Sequence, residues 1–161
     1  MTHSLTTGAD GFLYRFEAQL FVNPVGLVPE GLLMSNAFEG TITDGFMRGG
    51  RVSGVDQLLI RRDGISVIDA PKTLELDQRR VVELVRGYCI PPAGLNMPEL
   101  EQLLAPGFQW PDVPFTIRGC STFRVADAEL SELSGGIARI DGTVSMATGK
   151  LVVETRLLSS L

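Results

Sequence analysis

From Phe12 to Val22 the apolar residues fall on alternate positions, with Phe12, Tyr14, Phe16, Ala18, Leu20 and Val22 on one side and Arg15, Glu17 and Gln19 on the other. A period of two is that of a β-strand with one face against a core, and Asn23-Pro24 ends it. Further short runs follow at 37–43, 46–52, 55–62, 65–70 and 73–76, then a longer one from Arg80 to Tyr88. In this last run Val82, Leu84, Arg86 and Tyr88 share a face. Asp44-Gly45 and Asp63-Gly64 separate neighbouring runs, as hairpin loops need residues tolerant of positive φ. Gly49-Gly50 inside a run marks a bulge or a close approach of backbones. Val25 to Asn36 contains Pro29 and Gly31 and reads as an irregular connection with room for a helical turn.

One helix is predicted. Asn96 can cap it, Pro98 suits its first turn, and Glu99 and Glu101 complement the positive end of its dipole. Leu100, Leu103 and Leu104 form a buried stripe, and Pro106-Gly107 stops it. Three more strands close the chain at 115–125, 136–146 and 150–158, the last two joined at Thr148-Gly149. In the first of them Phe115, Ile117, Phe123 and Val125 face one way, and Thr116, Arg118, Cys120, Thr122 and Arg124 the other. There is no internal repeat, low-complexity tract or linker. Residues 1–11 are expected to be a flexible polar tail and 12–161 a single domain.

A sheet of so many short strands in 161 residues must curl or split to bury its apolar face, and closure removes the edge strands as well. The predicted fold is all-β: an antiparallel β-barrel of eight or nine strands with one short helix over an end. A β-sandwich is the alternative.

The middle of the chain resembles a bacterial family of uncharacterised small β-barrel proteins, domain-of-unknown-function family 3237. The resemblance rests on Phe38-Glu39-Gly40, Gly54-Val55-Asp56, Arg62-Asp63-Gly64, Asp69 followed by Thr73-Leu74, and Val85-Arg86, and it covers residues 36 to 90. It implies a barrel and a homo-oligomer, expected to be a dimer. It implies no established chemistry.

Composition narrows the partners. A net charge of −5 removes the electrostatic attraction that drives nucleic-acid binding. No apolar run approaches the ~20 residues that cross a bilayer as a helix. The first residues lack a basic start followed by an apolar block, so a cytoplasmic location is expected. Cys89 and Cys120 are too few for a disulfide scaffold and lack metal-ligand spacing; both are expected to be small packing residues, although Cys120 has Arg118 and Thr122 two positions away.

The single histidine, His3, lies in the expected tail, which argues against a Ser-His-Asp or Cys-His nucleophile and against a histidine metal site. No glycine-rich phosphate loop is present, since Gly49-Gly50 and Gly54 lack the following Lys-Ser/Thr and helix. No cofactor is expected. What remains is carboxylate, arginine and tyrosine chemistry inside an apolar barrel holding a small hydrophobic molecule. The candidate catalytic residues are Asp56, Asp69, Arg86 and Tyr88. Asp56 shares parity with Leu58 and Ile60, and Asp69 with Ile65 and Val67. Arg86 and Tyr88 follow Val82 and Leu84 and could occupy the wet end of an inward row. A desolvated carboxylate could remove a proton next to a carbonyl, Arg86 could bind the enolate or a substrate carboxylate, and Tyr88 could return the proton. Trp110 and Arg118 are candidates for shaping the opening. The bland alternatives are an Asp69–Arg86 structural ion pair, a turn-terminating Asp56 and a Trp110 loop anchor. Two further readings stand beside a cofactor-free isomerase, cyclase or lyase: a non-catalytic small-molecule-binding barrel, and an accessory subunit pairing with an enzyme.

Overall fold

The structure is a computed structural model describing residues 5–159. Nine strands follow in chain order: β1 (Phe12–Phe21), β2 (Pro24–Val28), β3 (Gly31–Gly45), β4 (Arg51–Arg61), β5 (Ser66–Leu76), β6 (Arg79–Ile90), β7 (Phe115–Val125), β8 (Ile137–Val144) and β9 (Lys150–Ser159). Each pairs with the next in an antiparallel ladder from β2 through β9, except that β1 and β2 do not pair. β9 then pairs with β1, and β1 with β3, which closes eight strands into a barrel. β2 is the extra strand, pairing only with Gly31–Met34 at the start of β3.

Closure assigns each strand an inner row. Tyr14, Phe16 and Leu20 on β1, Leu32, Met34, Phe38 and Ile42 on β3, and Val81, Val85 and Cys89 on β6 are all buried. Eight strands leave an interior about wide enough for side chains or one small ligand. Strands must bend tightly to make so narrow a ring. At the Gly87–Gly119 pair of β6 and β7, a Cβ on Gly87 would sit 2.2 Å from the Arg118 carbonyl oxygen, and one on Gly119 2.4 Å from that of Arg86. Only glycine allows that approach.

The two ends are covered from the two ends of β7. Ahead of it, the helix α1 (Leu100–Leu103) buries Leu100 and Leu103, and Trp110 packs edge-on against Phe108 and Phe115 at 5.5 and 6.2 Å between ring centres. After it, a 3-10 segment, Ala128–Gly135, buries Leu130 and Leu133. Among the described residues no helix is long and apolar enough to cross a membrane.

Several expected boundaries change. The stretch from Val25 to Asn36 is a hairpin: Pro29 and Glu30 form its turn, and β3 begins at Gly31. The expected strand at 46–52 starts only at Arg51. Residues 46–50 turn instead, with Met47 and Gly49 at φ 58° and 86°. The expected strands 65–70 and 73–76 are one, β5, running through Pro71. The helix is capped at Glu99, whose N–H donates to Gln102 Oε1 at 3.1 Å, and not at Asn96; Leu104 stays exposed. The expected tail includes His3, which lies outside the described residues. Its remaining part is tied down: Leu5 packs on the core, and the Gly8 N–H donates to the Phe12 carbonyl at 2.9 Å.

Candidate functional site

The interior holds a cavity of about 60 Å³ for the centres of water-sized molecules. At ~10–15 Å³ for each water on that measure, this is room for a few waters or a small organic group. Phe16, Phe38, Leu58, Ile68, Val85, Ile117, Ile140 and Val153 are among its lining residues, which are apolar apart from Asp56, Lys72 and Cys89.

Asp56 owes its position to an interruption of the wall. β4 and β5 pair from Arg51↔Glu75 to Gly54↔Lys72 and again at Leu59↔Val67 and Ile60↔Ser66, in one register, but not between 55–58 and 68–71. Pro71 lies in this gap and has no N–H to give. Asp56 Oδ1 accepts the Asp69 N–H there at 3.3 Å, standing in for a ladder carbonyl. Half-buried in this open seam, the Asp56 carboxyl is pushed up to about 7, chiefly by burial; the Asp69 hydrogen bond opposes the shift, and the nearby Asp69 charge adds to it. A carboxyl titrating there is as good a base as an acid near neutrality. The Cys89 thiol is pushed up to about 12 by burial and then by the charge of Asp56, so it is inert as a nucleophile.

Across β3 and β4 the register partner of Asp56 is Asn36. It is fully buried. Its Oδ1 accepts the Asn23 N–H at 2.8 Å, while its Nδ2 is a buried donor with no partner among the described residues. Such an orphan is costly unless something else accepts from it.

A second polar group lies deeper. Glu83, fully buried on β6, accepts the Ser121 hydroxyl on Oε1 at 2.6 Å and the Tyr14 hydroxyl on Oε2. The Lys72 ammonium lies 3.3 Å from Oε2 and 4.5 Å above the centre of the Phe16 ring. Burial and then the Glu83 charge raise the Tyr14 hydroxyl well above its ordinary value. Burial lowers Lys72, against the pull of Glu83.

Of the residues singled out from sequence, Asp56 faces the cavity. Asp69, Arg86 and Tyr88 do not. Asp69 and Arg86 pair on the outer wall at 3.6 Å, with side chains 48% and 74% exposed, and Tyr88 is exposed beside them. The expectation that Arg86 and Tyr88 end an inward row is overturned because closure turns Val81, Glu83, Val85 and Cys89 inward on β6. Arg118 is exposed on β7. Trp110 is half-buried in the plug and lines a second void of about 10 Å³ with Leu58, Ser66, Cys89 and Met146. Cys89 is a packing residue as expected, and Cys120 is exposed. Among the described residues no group of three or more His, Cys, Asp or Glu could hold a metal.

Asn36, Lys72, Glu83, Tyr14 and Ser121 were missed as site residues. Lys72 has the parity of Ile68, Ala70 and Leu74, and Asn36 that of Met34 and Phe38, which was the available signal.

No protein-family model matches the chain, and no curated protein does. Solved structures do match. A β-barrel-like protein from Acinetobacter baumannii AYE is 19% identical, with a TM-score of 0.67 over 92% of this chain and 94% of that one. A protein of unknown function from Clostridium acetobutylicum is 15% identical, with a TM-score of 0.71 over 92% and 97%. A conserved protein of unknown function from Rhodopseudomonas palustris is 18% identical, with a TM-score of 0.68 over 91% and 95%. They share the barrel fold with this chain.

Proposed function

We propose that the protein is a cofactor-independent acid–base enzyme that takes a compact, largely apolar carbonyl compound into the barrel and moves a proton on it, as an isomerase, cyclase or lyase would. The observation that carries this reading is Asp56: a carboxyl held near neutral pKa in the wall of a largely apolar cavity. Asp56 would take the proton from carbon next to the carbonyl, and return it at another carbon to complete an isomerisation. Arg86, Tyr88 and Arg118, being outside, have no part in it. In the cell the protein would be cytoplasmic and, as the family resemblance implies, a homodimer; the exposed Phe21, Val25 and Leu27 are apolar surface that suits pairing.

The test needs no knowledge of the substrate. Small aldehydes and ketones in deuterated buffer should gain deuterium next to the carbonyl faster with the protein present, and Asp56→Asn should abolish the gain while keeping the Asp69 hydrogen bond. Binding seen by ligand-observed NMR without exchange would overturn catalysis in favour of a non-catalytic carrier, a reading that the mainly hydrocarbon lining also supports.

A further inference from the structure

Among the described residues, Lys72 is the one in the cavity lining that carries an amine. The chain has 14 cationic residues, of which only Lys72 and Lys150 are lysines. Lys150 is exposed, whereas the Lys72 side chain is 2% exposed. Its carboxylate partner does not depend on it: Glu83 keeps the Tyr14 and Ser121 hydroxyls as donors whatever happens at the amine. The partner contact, 3.3 Å from Nζ to Oε2, is a path for a proton. We propose that Lys72 is a carbonyl-capturing amine, whose Nζ condenses with a small apolar aldehyde or ketone held in the cavity to form an iminium. This deepens the reading above and rests on the same cavity, since an iminium makes the neighbouring carbon a far stronger acid for Asp56 to deprotonate.

The step balances as follows. The ammonium gives one proton to Glu83, and the freed lone pair attacks the carbonyl carbon. A second proton moves from nitrogen to the former carbonyl oxygen, giving a carbinolamine. Glu83 returns its proton to that hydroxyl, which leaves as water as the carbon–nitrogen double bond forms. Lysine ammonium and carbonyl compound become iminium and water, with Glu83 again a carboxylate. Burial favours the neutral amine more than Glu83 opposes it, the condition under which lysines serve as Schiff-base nucleophiles.

The folded full-length protein is incubated at neutral pH with propanal and cyanoborohydride, which reduces an iminium to a stable secondary amine, and the labelled residues are mapped by peptide mass spectrometry. Lys72 should be alkylated on the order of tenfold faster than the exposed Lys150, the reverse of their exposure. Ala70→Leu, filling the cavity, should remove the Lys72 label and leave that on Lys150. Label confined to Lys150 and the α-amino group, or reaching Lys72 only in urea, overturns the proposal. Asp56→Asn should still be labelled at Lys72. Label without deuterium exchange therefore retains the amine and defeats the acid–base reading, and exchange without label does the opposite.

Discussion

The barrel encloses two carboxyls, and their surroundings are opposite. Glu83 lies at the closed, deep level with two hydroxyls and an ammonium around it. Asp56 lies where the β4–β5 ladder opens, with one backbone N–H and a largely apolar wall. A buried charge is tolerable when every lone pair is engaged and expensive when it is not. Glu83 ties together β1, β5, β6 and β7 through Tyr14, Lys72 and Ser121. Asp56 is built to change its charge.

The largest effect should come from breaking the satisfied side. Glu83→Ala strands the Lys72 ammonium and two buried hydroxyls, and removing one partner of a buried ion pair costs about 3–5 kcal/mol. Chemical denaturation at neutral pH should show a loss of that order. The double replacement Lys72→Met with Glu83→Leu should recover much of it, because no uncompensated charge then remains. If Glu83→Ala costs no more than an average core truncation, the deep group is not a coupled network and the contrast with Asp56 collapses.

Asp56 should behave in the opposite sense, and pH reveals it. Its ordinary pKa near 3.8 rises to about 7 in the folded state, so the folded protein binds the proton more tightly than the unfolded chain. Stability from this group is complete below about pH 4 and is lost as pH rises through 7. Asp56→Asn, which cannot ionise, should match wild type at pH 4 and exceed it at pH 8.5 by on the order of 4 kcal/mol. Equal stability of the two proteins at pH 8.5 would mean that the charged carboxylate is comfortable in the seam. A variant more stable but devoid of exchange activity would be the signature of a site held at a cost in stability.

The two cysteines test the seam itself. Cys120 is exposed and Cys89 buried, with its thiol at about 12. A thiol reagent should label Cys120 rapidly and leave Cys89 unreacted in the native protein. Fast labelling of Cys89 by a small uncharged alkylating agent, but not by a large charged one, would overturn the inertness of this thiol and show that it is reached through the seam.

How much of this was legible in the sequence depends on what alternation can and cannot tell. It separates two faces of a strand but does not say which one is inner. On β1 the polar face made the choice plain, and for Asp56 the neighbours Leu58 and Ile60 did the same. On β6 both faces are apolar: Val81 and Val85 alternate with Val82 and Leu84. Val82 and Leu84 lead directly to Arg86 and Tyr88 on one row, which suggested that these two could end an inward row, while Glu83 interrupts the other. Which row turns inward is fixed by ring closure and by the Gly87–Gly119 approach, which are relations between strands distant in sequence. Lys72 was hidden by Pro71, a residue that ordinarily ends a strand and here lies where the ladder is already open.

The smallest expected effect sharpens the same contrast from outside. Asp69 and Arg86 form an exposed pair at 3.6 Å, and pairs of that kind are worth about 0–1 kcal/mol. Arg86→Ala should therefore change stability by no more than about 0.5 kcal/mol and leave carbonyl exchange and Lys72 labelling unaltered. Asp69→Asn differs in one respect. Its backbone still donates to Asp56, but the negative charge that helps to raise Asp56 is gone, so the midpoint of the exchange pH profile should move to lower pH while the maximal rate stays. A profile that moves in Asp69→Asn but not in Arg86→Ala assigns the coupling to one carboxylate acting through the open seam. Loss of activity in Arg86→Ala would place the chemistry on the outer wall and remove the cavity from the mechanism.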